Sequence, residues 1–154
     1  MTEHPDIPSP LSPVQQAAKA FIESEHPLFT KLGLKATRIS EGEISFRLTI
    51  PPQYSDGDHV HSGIMAIMLD TILGNAVWTS LDRFVPIATI NLKTDYFTKV
   101  SPNTPLICSG ICEGIRDDVA YSTGRAMIAK TGELVAMAAG TFMVGTRSKS
   151  RSRL

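Results

Sequence analysis

The feature that most constrains the fold is the apolar run DHVHSGIMAIMLDTILGNAVW, from Asp58 to Trp78. It predicts a helix over residues 62–81 that is apolar almost all round and must therefore be buried on nearly every side. Asp70, Gly74 and Asn75 interrupt the run, which argues against a membrane span. An ionised carboxylate such as Asp70 is unfavourable in apolar surroundings unless it is paired or hydrogen-bonded.

The rest of the chain supplies the elements that would bury this helix. Ser12 and Pro13 are typical of a helix start, and Pro27 closes this amphipathic N-terminal helix near His26. Residues 34–50 predict two antiparallel strands with a turn at 41–43. Four more strands, within 86–100, 105–116, 119–130 and 134–144, are joined by turns too short for parallel crossovers. We therefore expect an α+β fold, with an antiparallel sheet wrapped around a central helix plus the N-terminal helix.

Composition narrows the classes of partner and the location. Fifteen basic and fifteen acidic residues cancel, so we expect neither nucleic-acid nor membrane binding. Residues 1–12 and the basic residues 147–154 are predicted to be disordered tails around a single domain at 13–146. No basic segment followed by an apolar one begins the chain, which favours a cytoplasmic protein. The two cysteines, Cys108 and Cys112, form no CxxC pair and suggest neither zinc nor redox chemistry.

Asp70 has two interpretations. It could face a polar seam, or accept hydrogen bonds from Thr71 or Asn75. Alternatively it is a nucleophile or general base in a partly dry pocket. Ser62 and Gly63 favour the second interpretation, because the free N–H groups of a helix start can stabilise an oxyanion. A carboxylate and an oxyanion hole without a serine triad suggest hydrolysis of an activated acyl group such as a thioester.

The spacing of these residues predicts a homodimer. Gly63 and Asp70 are seven residues apart, which places them about 10 Å apart along a helix axis. One helix therefore cannot bring both to the same carbonyl group. Two antiparallel copies could, and two-fold dimers are the commonest oligomers.

The segment HSGIMAIMLDTILGNAV resembles the HGG…D signature of the hotdog-fold acyl-CoA thioesterases, in their PaaI-like (phenylacetate-degradation) branch. ATINLKTDYFTKV is similar to the strand that follows the signature in that family. GIRDDVAYSTGRAMIAKTGELVAMAAGTFMV is similar to the family's closing hairpin. The resemblance covers roughly residues 30–144 and implies a hotdog fold and hydrolysis of an acyl-CoA substrate without a cofactor or metal.

The resemblance also implies roles for individual residues. Asp70 falls on the catalytic carboxylate, and Ser62 and Gly63 fall on the glycines whose N–H groups polarise the thioester carbonyl. His61 matches a positioning or carbonyl-contacting histidine, and Thr89 falls where some members hold the attacking water. The carboxylate would serve the partner subunit's site, in a homodimer or a dimer of dimers.

Two departures from the family pattern affect the expected site. The sequence reads HSG rather than HGG, so the side chain of Ser62 narrows the entrance. Some members carry an amide about six residues before the histidine, where this chain has Ser55 followed by Asp56. We expect Ser55 and Asp56 to contact substrate in its place, and Met65 to line the apolar acyl pocket.

Two alternatives remain open from the sequence. A hotdog protein can bind acyl groups or acyl-CoA without catalysis, since fold does not dictate function. The segment DGDHVH also offers His59 and His61 beside Asp56 and Asp58 as ligands of a metal-binding module.

Overall fold

A computed structural model describes the chain at Ile7 and over residues 10–146. Its helical elements are α1 (Pro13–Ala20), a π-helical turn (Phe21–Glu25), α2 (Pro27–Leu32), a 3-10 turn (Pro52–Tyr54) and α3 (Ser62–Thr79). Its strands are β1 (Lys35–Ser40), β2 (Glu43–Leu48), β3 (Ser55–Asp56), β4 (His59–Val60), β5 (Ile87–Tyr96), β6 (Leu106–Arg116), β7 (Val119–Ile128) and β8 (Leu134–Val144).

The predicted tails fall largely outside this description. The whole of 147–154 and most of 1–12 lie outside the described residues. Within the N-terminal segment, Ile7 and Leu11 pack against the hydrophobic core.

The main sheet is antiparallel and has six strands in the order β1-β2-β6-β7-β8-β5. Two-residue turns at Glu41–Gly42 and Asp117–Asp118 join β1 to β2 and β6 to β7. Gly42 and Asp117 have φ of 73° and 54°, the left-handed geometry that tight hairpin turns require. The predicted strands and their antiparallel pairing are thus confirmed. β5 lies at one edge and pairs only with β8 among the described strands.

The N-terminal helix begins as predicted but is followed by a second helix. Ser12 and Gln15 form a reciprocal capping box at the start of α1, which satisfies two otherwise free N–H groups. The helix widens into the π-helical turn and ends at the extended residue His26. Pro27 then begins α2 instead of a loop, because proline fits the first position of a helix. The sequence pattern did not predict α2.

The sheet curls around α3, whose second half is buried except at Thr71 and Trp78, which are half-buried. Ile44, Phe46 and Leu48 of β2 point into this core, as their alternation predicted. The expected burial of α3 is incomplete in its first half, where Ile67 remains 42% exposed.

By length and composition α3 is the one described helix that could span a membrane, but 56% of it is buried. The core helix of a globular protein meets the same criterion.

Glycines let the sheet approach α3 closely. A Cβ on Gly110 would lie 2.8 Å from the carbonyl oxygen of Ile72, and one on Gly124 would lie 2.5 Å from Leu73. Close approach of another backbone is a common reason for a glycine inside a strand.

Candidate functional site

Asp70 and Thr89 form a hydrogen-bonded pair between the central helix and the edge strand. The Thr89 hydroxyl donates to Asp70 Oδ1 at 2.9 Å. Thr89 lies on β5 beside a shift in its register against β8, and Asp70 is half-buried on α3. Two residues that the sequence predicted for the site are therefore in direct contact. The bond orients the Asp70 carboxylate through Oδ1 and does not involve Oδ2.

A cavity of about 260 Å³ lies beside this pair. Asp70, Thr89 and Asn75 contribute polar groups to its wall, while Phe21 and Trp78 contribute aromatic rings. Trp78 Nε1 donates to the carbonyl oxygen of Val85, so the indole presents only apolar surface for further contacts. The cavity thus combines a carboxylate with a boundary to which polar and apolar side chains contribute about equally.

The start of α3 is capped by the histidine before it. His61 Nδ1 accepts a hydrogen bond from the Gly63 N–H at 3.0 Å. The His61 N–H in turn donates to the Tyr54 carbonyl oxygen at 3.0 Å, and the Val60 N–H donates to Val100. These bonds hold the residue before α3 against the 3-10 turn at Tyr54, and hold β4 against Val100. They also mean that the Gly63 N–H is already engaged, so an oxyanion could use it only after the imidazole rotates away.

A second cleft, of about 450 Å³, opens at this helix start. It is lined by predicted residues and by others: Asp56, His59, Val60, His61, Ser62, Met65, Tyr96, Phe97, Thr98, Lys99, Val100 and Val135. Tyr96 donates its hydroxyl to the Ser62 carbonyl oxygen at 3.1 Å. Ser55 lies apart from this cleft, in a depression beside His61 and Gly63, and its buried hydroxyl has no hydrogen-bond partner among the described residues.

Within one chain the two halves of the predicted site are separate. The cleft at the helix start and the cavity at Asp70 share no lining residue. The seven-residue spacing between Gly63 and Asp70 corresponds to about 10 Å along α3. A single chain therefore does not place the Asp70 carboxylate at its own helix start.

Comparisons with known proteins bear on the fold. No protein-family model and no curated protein matches the sequence. Solved structures do match, among them a thioesterase family protein from Silicibacter pomeroyi (TM-score 0.75, 16% identity, 84% of this chain and 96% of that one). A phenylacetic acid degradation-related protein from Ralstonia eutropha JMP134 matches at TM-score 0.71 and 20% identity, over 82% and 98% of the chains. A hypothetical thioesterase protein from Streptococcus pneumoniae TIGR4, crystallised with coenzyme A, matches at 0.67 and 17%, over 75% and 88%.

The chain has the hotdog fold. The resemblance inferred from HSGIMAIMLDTILGNAV is confirmed at the level of fold, since thioesterase-superfamily and PaaI structures are among the matches. In this hotdog chain α3 is the central helix, and β5 is an edge strand among the described strands.

The described part of the chain offers no ligand set for the metal-binding alternative. Among the described residues, no three His, Cys, Asp or Glu side chains lie close enough together to hold a metal ion. His61 uses its Nδ1 for the Gly63 N–H, so a metal at that nitrogen would have to displace the helix cap.

Residues that were not among the predicted site residues also line the cleft and the cavity. Tyr96 and Lys99 reach the helix-start cleft, and His26 and Asn75 reach the Asp70 cavity. Asn75 carried a signal, because a polar residue four positions after Thr71 in an apolar helix shares its face. His26 carried none, since its position depends on how the π-helical turn packs on α3.

Proposed function

We propose that the protein hydrolyses an acyl-CoA thioester to the free acid and CoA. The observation that carries the proposal is the hydrogen bond from Thr89 to Asp70 Oδ1, beside a cavity in a hotdog fold that has both polar and apolar walls. A carboxylate oriented in this way can attack an acyl carbon or activate water. The Streptococcus pneumoniae hotdog structure was crystallised with coenzyme A, which supports CoA as the leaving group.

We further propose that the active unit is a homodimer. The edge strand β5 leaves backbone groups unpaired among the described strands, and unprotected edges favour pairing with a second chain. Ile90 on this strand is 51% exposed, and Ile67 on the open side of α3 is 42% exposed. A second copy that covers both would set two α3 helices antiparallel and bring each Asp70 to the other's helix start. Two such dimers could associate further into a tetramer.

In this dimer the two halves of the site have different tasks. The thioester oxygen would accept hydrogen bonds from the N–H groups of Ser62 and Gly63, where the helix dipole also favours negative charge. His61 would release the Gly63 N–H as the carbonyl enters. Asp70 of the partner subunit would then attack the carbonyl carbon, or remove a proton from the attacking water. If Asp70 attacks, the C–S bond breaks as a mixed anhydride forms, and water then hydrolyses the anhydride and frees the carboxylate. If Asp70 acts as a base, water adds to the carbonyl carbon directly and the C–S bond breaks. In either case water supplies the oxygen of the product acid, and the proton that it loses goes to the CoA thiolate.

The helix-start cleft would hold the substrate's pantetheine arm. Asp56 and Met65 line this cleft. Asp56 would contact the pantetheine arm, and Met65 would contact the acyl group near its carbonyl carbon. Lys99 at the same cleft carries a positive charge suited to a CoA phosphate. Ser55 would contact the substrate from behind His61 through its hydroxyl, which has no hydrogen-bond partner among the described residues. We place the reaction in the cytoplasm.

The experiment is a hydrolysis assay on the purified protein with CoA esters of short, medium and aryl acids. Release of CoA is followed with a thiol reagent. Turnover that depends on enzyme concentration supports the proposal. Absence of thiol release from every ester, with a folded dimer confirmed by light scattering, overturns it.

One observation favours a second candidate, a non-catalytic acyl-CoA-binding protein. The Gly63 N–H is bonded to His61, so the oxyanion donors are not all free in this conformation. Binding of acyl-CoA in calorimetry without any thiol release would support this alternative.

A further inference from the structure

Two side chains hold opposite ends of one peptide group at the start of α3. The Ser62 carbonyl oxygen and the Gly63 N–H belong to the peptide group that joins these two residues. Tyr96 donates its hydroxyl to that oxygen at 3.1 Å, and the Gly63 N–H donates to His61 Nδ1 at 3.0 Å. The proposed hydrolysis uses this N–H as an oxyanion donor but gives no task to the bond on the oxygen.

Entry of a substrate affects the two bonds differently. The thioester oxygen has to replace His61 Nδ1 as the acceptor of the Gly63 N–H. The Tyr96 bond lies at the other end of the same peptide group and stays in place. Because a peptide group is planar, a bond that holds its carbonyl oxygen also restricts the direction of its N–H. A carbonyl oxygen has two lone pairs, so it can accept from Tyr96 and also within α3.

Tyr96 is itself anchored away from the helix that it contacts. It is the last residue of β5 and pairs in register with Ala136 of β8, which is fully buried. The next residue, Phe97, donates its N–H to the Val135 carbonyl oxygen at 2.9 Å. The sheet therefore sets the backbone position of Tyr96, and its hydroxyl ties the helix start to that fixed position.

We propose that Tyr96 is a positioning residue of the oxyanion hole, which orients and polarises the Gly63 N–H through the Ser62 carbonyl oxygen. The inference rests on the proposed function, because the oxyanion is that of the thioester under attack. Hydrogen bonds in a chain polarise one another, so the Tyr96 bond makes the N–H at the other end a stronger donor. A stronger donor stabilises the charged transition state more than the neutral substrate, so the effect falls on kcat rather than on KM.

The first measurement compares Tyr96→Phe with the wild type in the hydrolysis of one CoA ester. The substitution removes the hydroxyl and keeps the ring that lines the helix-start cleft. We expect kcat to fall by about 3- to 10-fold, as for the loss of one ordinary hydrogen bond, and KM to stay nearly unchanged. Tyr121→Phe is the matched control, because Tyr121 is 48% exposed against 49% for Tyr96 and lines neither the cleft nor the Asp70 cavity.

The second measurement follows the amide resonance of Gly63 by NMR in isotope-labelled protein. In Tyr96→Phe the amide proton should resonate upfield of its wild-type position, because the N–H is a weaker donor when its peptide oxygen loses a hydrogen bond. Addition of the CoA ester should shift the resonance less in Tyr96→Phe than in the wild type. Tyr121→Phe should match the wild type in both respects.

Two results would overturn the positioning role: a Gly63 resonance that is the same in Tyr96→Phe as in the wild type, or a higher KM at constant kcat. The second result would mean that the hydroxyl contacts the substrate directly. If Tyr96→Phe does not melt cooperatively, Tyr96→Leu, which also lacks the hydroxyl, decides by the same measurements. If the wild type hydrolyses no ester, the proposed function fails on its own. The shift of the Gly63 resonance on binding of the ester then decides the role of Tyr96, and equal shifts in both proteins contradict it.

Discussion

The hydroxyl of Thr89, on the edge strand β5, donates a hydrogen bond of 2.9 Å to Oδ1 of Asp70, on the central helix α3. This bond restricts rotation of the carboxylate. Thr89→Val should therefore lower kcat by about 10-fold or more, because small misplacements of a reacting group are costly. Thr89 is exposed, so unfolding free energy should change by no more than about 0.5 kcal/mol.

Thr89→Ser is the matched control, since it keeps the hydroxyl and removes only a methyl group. Recovery of most of the activity in Thr89→Ser, with none in Thr89→Val, would assign the effect to the hydrogen bond. Equal activity in both variants would mean that the bond does not orient Asp70 for reaction.

Asp70→Asn should abolish turnover while the protein stays folded. The amide has nearly the same shape but is neither a useful nucleophile nor a base, so kcat should fall by about 10²–10⁴-fold. Thermal melting should show equal or higher stability, because residues placed for catalysis tend to reduce stability. A large loss of stability would indicate instead that Asp70 is chiefly structural.

Gly110→Ala should destabilise the fold through α3. The added Cβ would lie 2.8 Å from the Ile72 carbonyl oxygen, so the helix or the strand must shift. Overpacking of this kind costs about 1–3 kcal/mol. Gly114→Ala is the control on the same strand, since no described atom lies within 4 Å of its added Cβ. Denaturant unfolding of both variants measures the difference, and equal stabilities would contradict the packing described for β6 and α3.

Cys108 should make stability depend on alkaline pH. Burial raises the pKa of its thiol from 9.0 to about 12. Between these values the folded state keeps a proton that the unfolded state has lost, so the free energy of unfolding falls as pH rises. Cys108→Ala lacks this dependence. The stability advantage of the wild type over the variant should therefore shrink between neutral pH and pH about 10, and an unchanged advantage in urea unfolding would contradict the assignment.

Much of the fold could be predicted from the sequence because its local signals agree. Alternation in β2, the turn at Glu41–Gly42 and the all-round apolar character of α3 indicate the same arrangement of a sheet around a helix. The pairing of Asp70 with Thr89 could be expected only from the family resemblance. Nothing local connects two residues that are nineteen positions apart.

Other features depend on tertiary contacts that periodicity does not encode. The second helix, α2, begins at Pro27 directly after a π-helical turn. From the sequence alone, this proline is equally consistent with the end of a helix and with the start of one. The bond between His61 Nδ1 and the Gly63 N–H depends on a rotamer at the helix cap. The exposed face of α3 at Ile67 could not be distinguished from its buried face by sequence, because the residues on both faces are apolar.

The central claim is that each active site takes Asp70 from one chain and the helix start from the other. Ser62→Pro removes one N–H donor but suits the first helical position, and His61 before it is already extended. Mixed dimers of Asp70→Asn with Ser62→Pro, isolated with two affinity tags, should regain roughly half of the wild-type activity, because one of two sites is intact. Mixed dimers of wild type with the double variant should be inactive. Activity in the second mixture and none in the first would contradict the account.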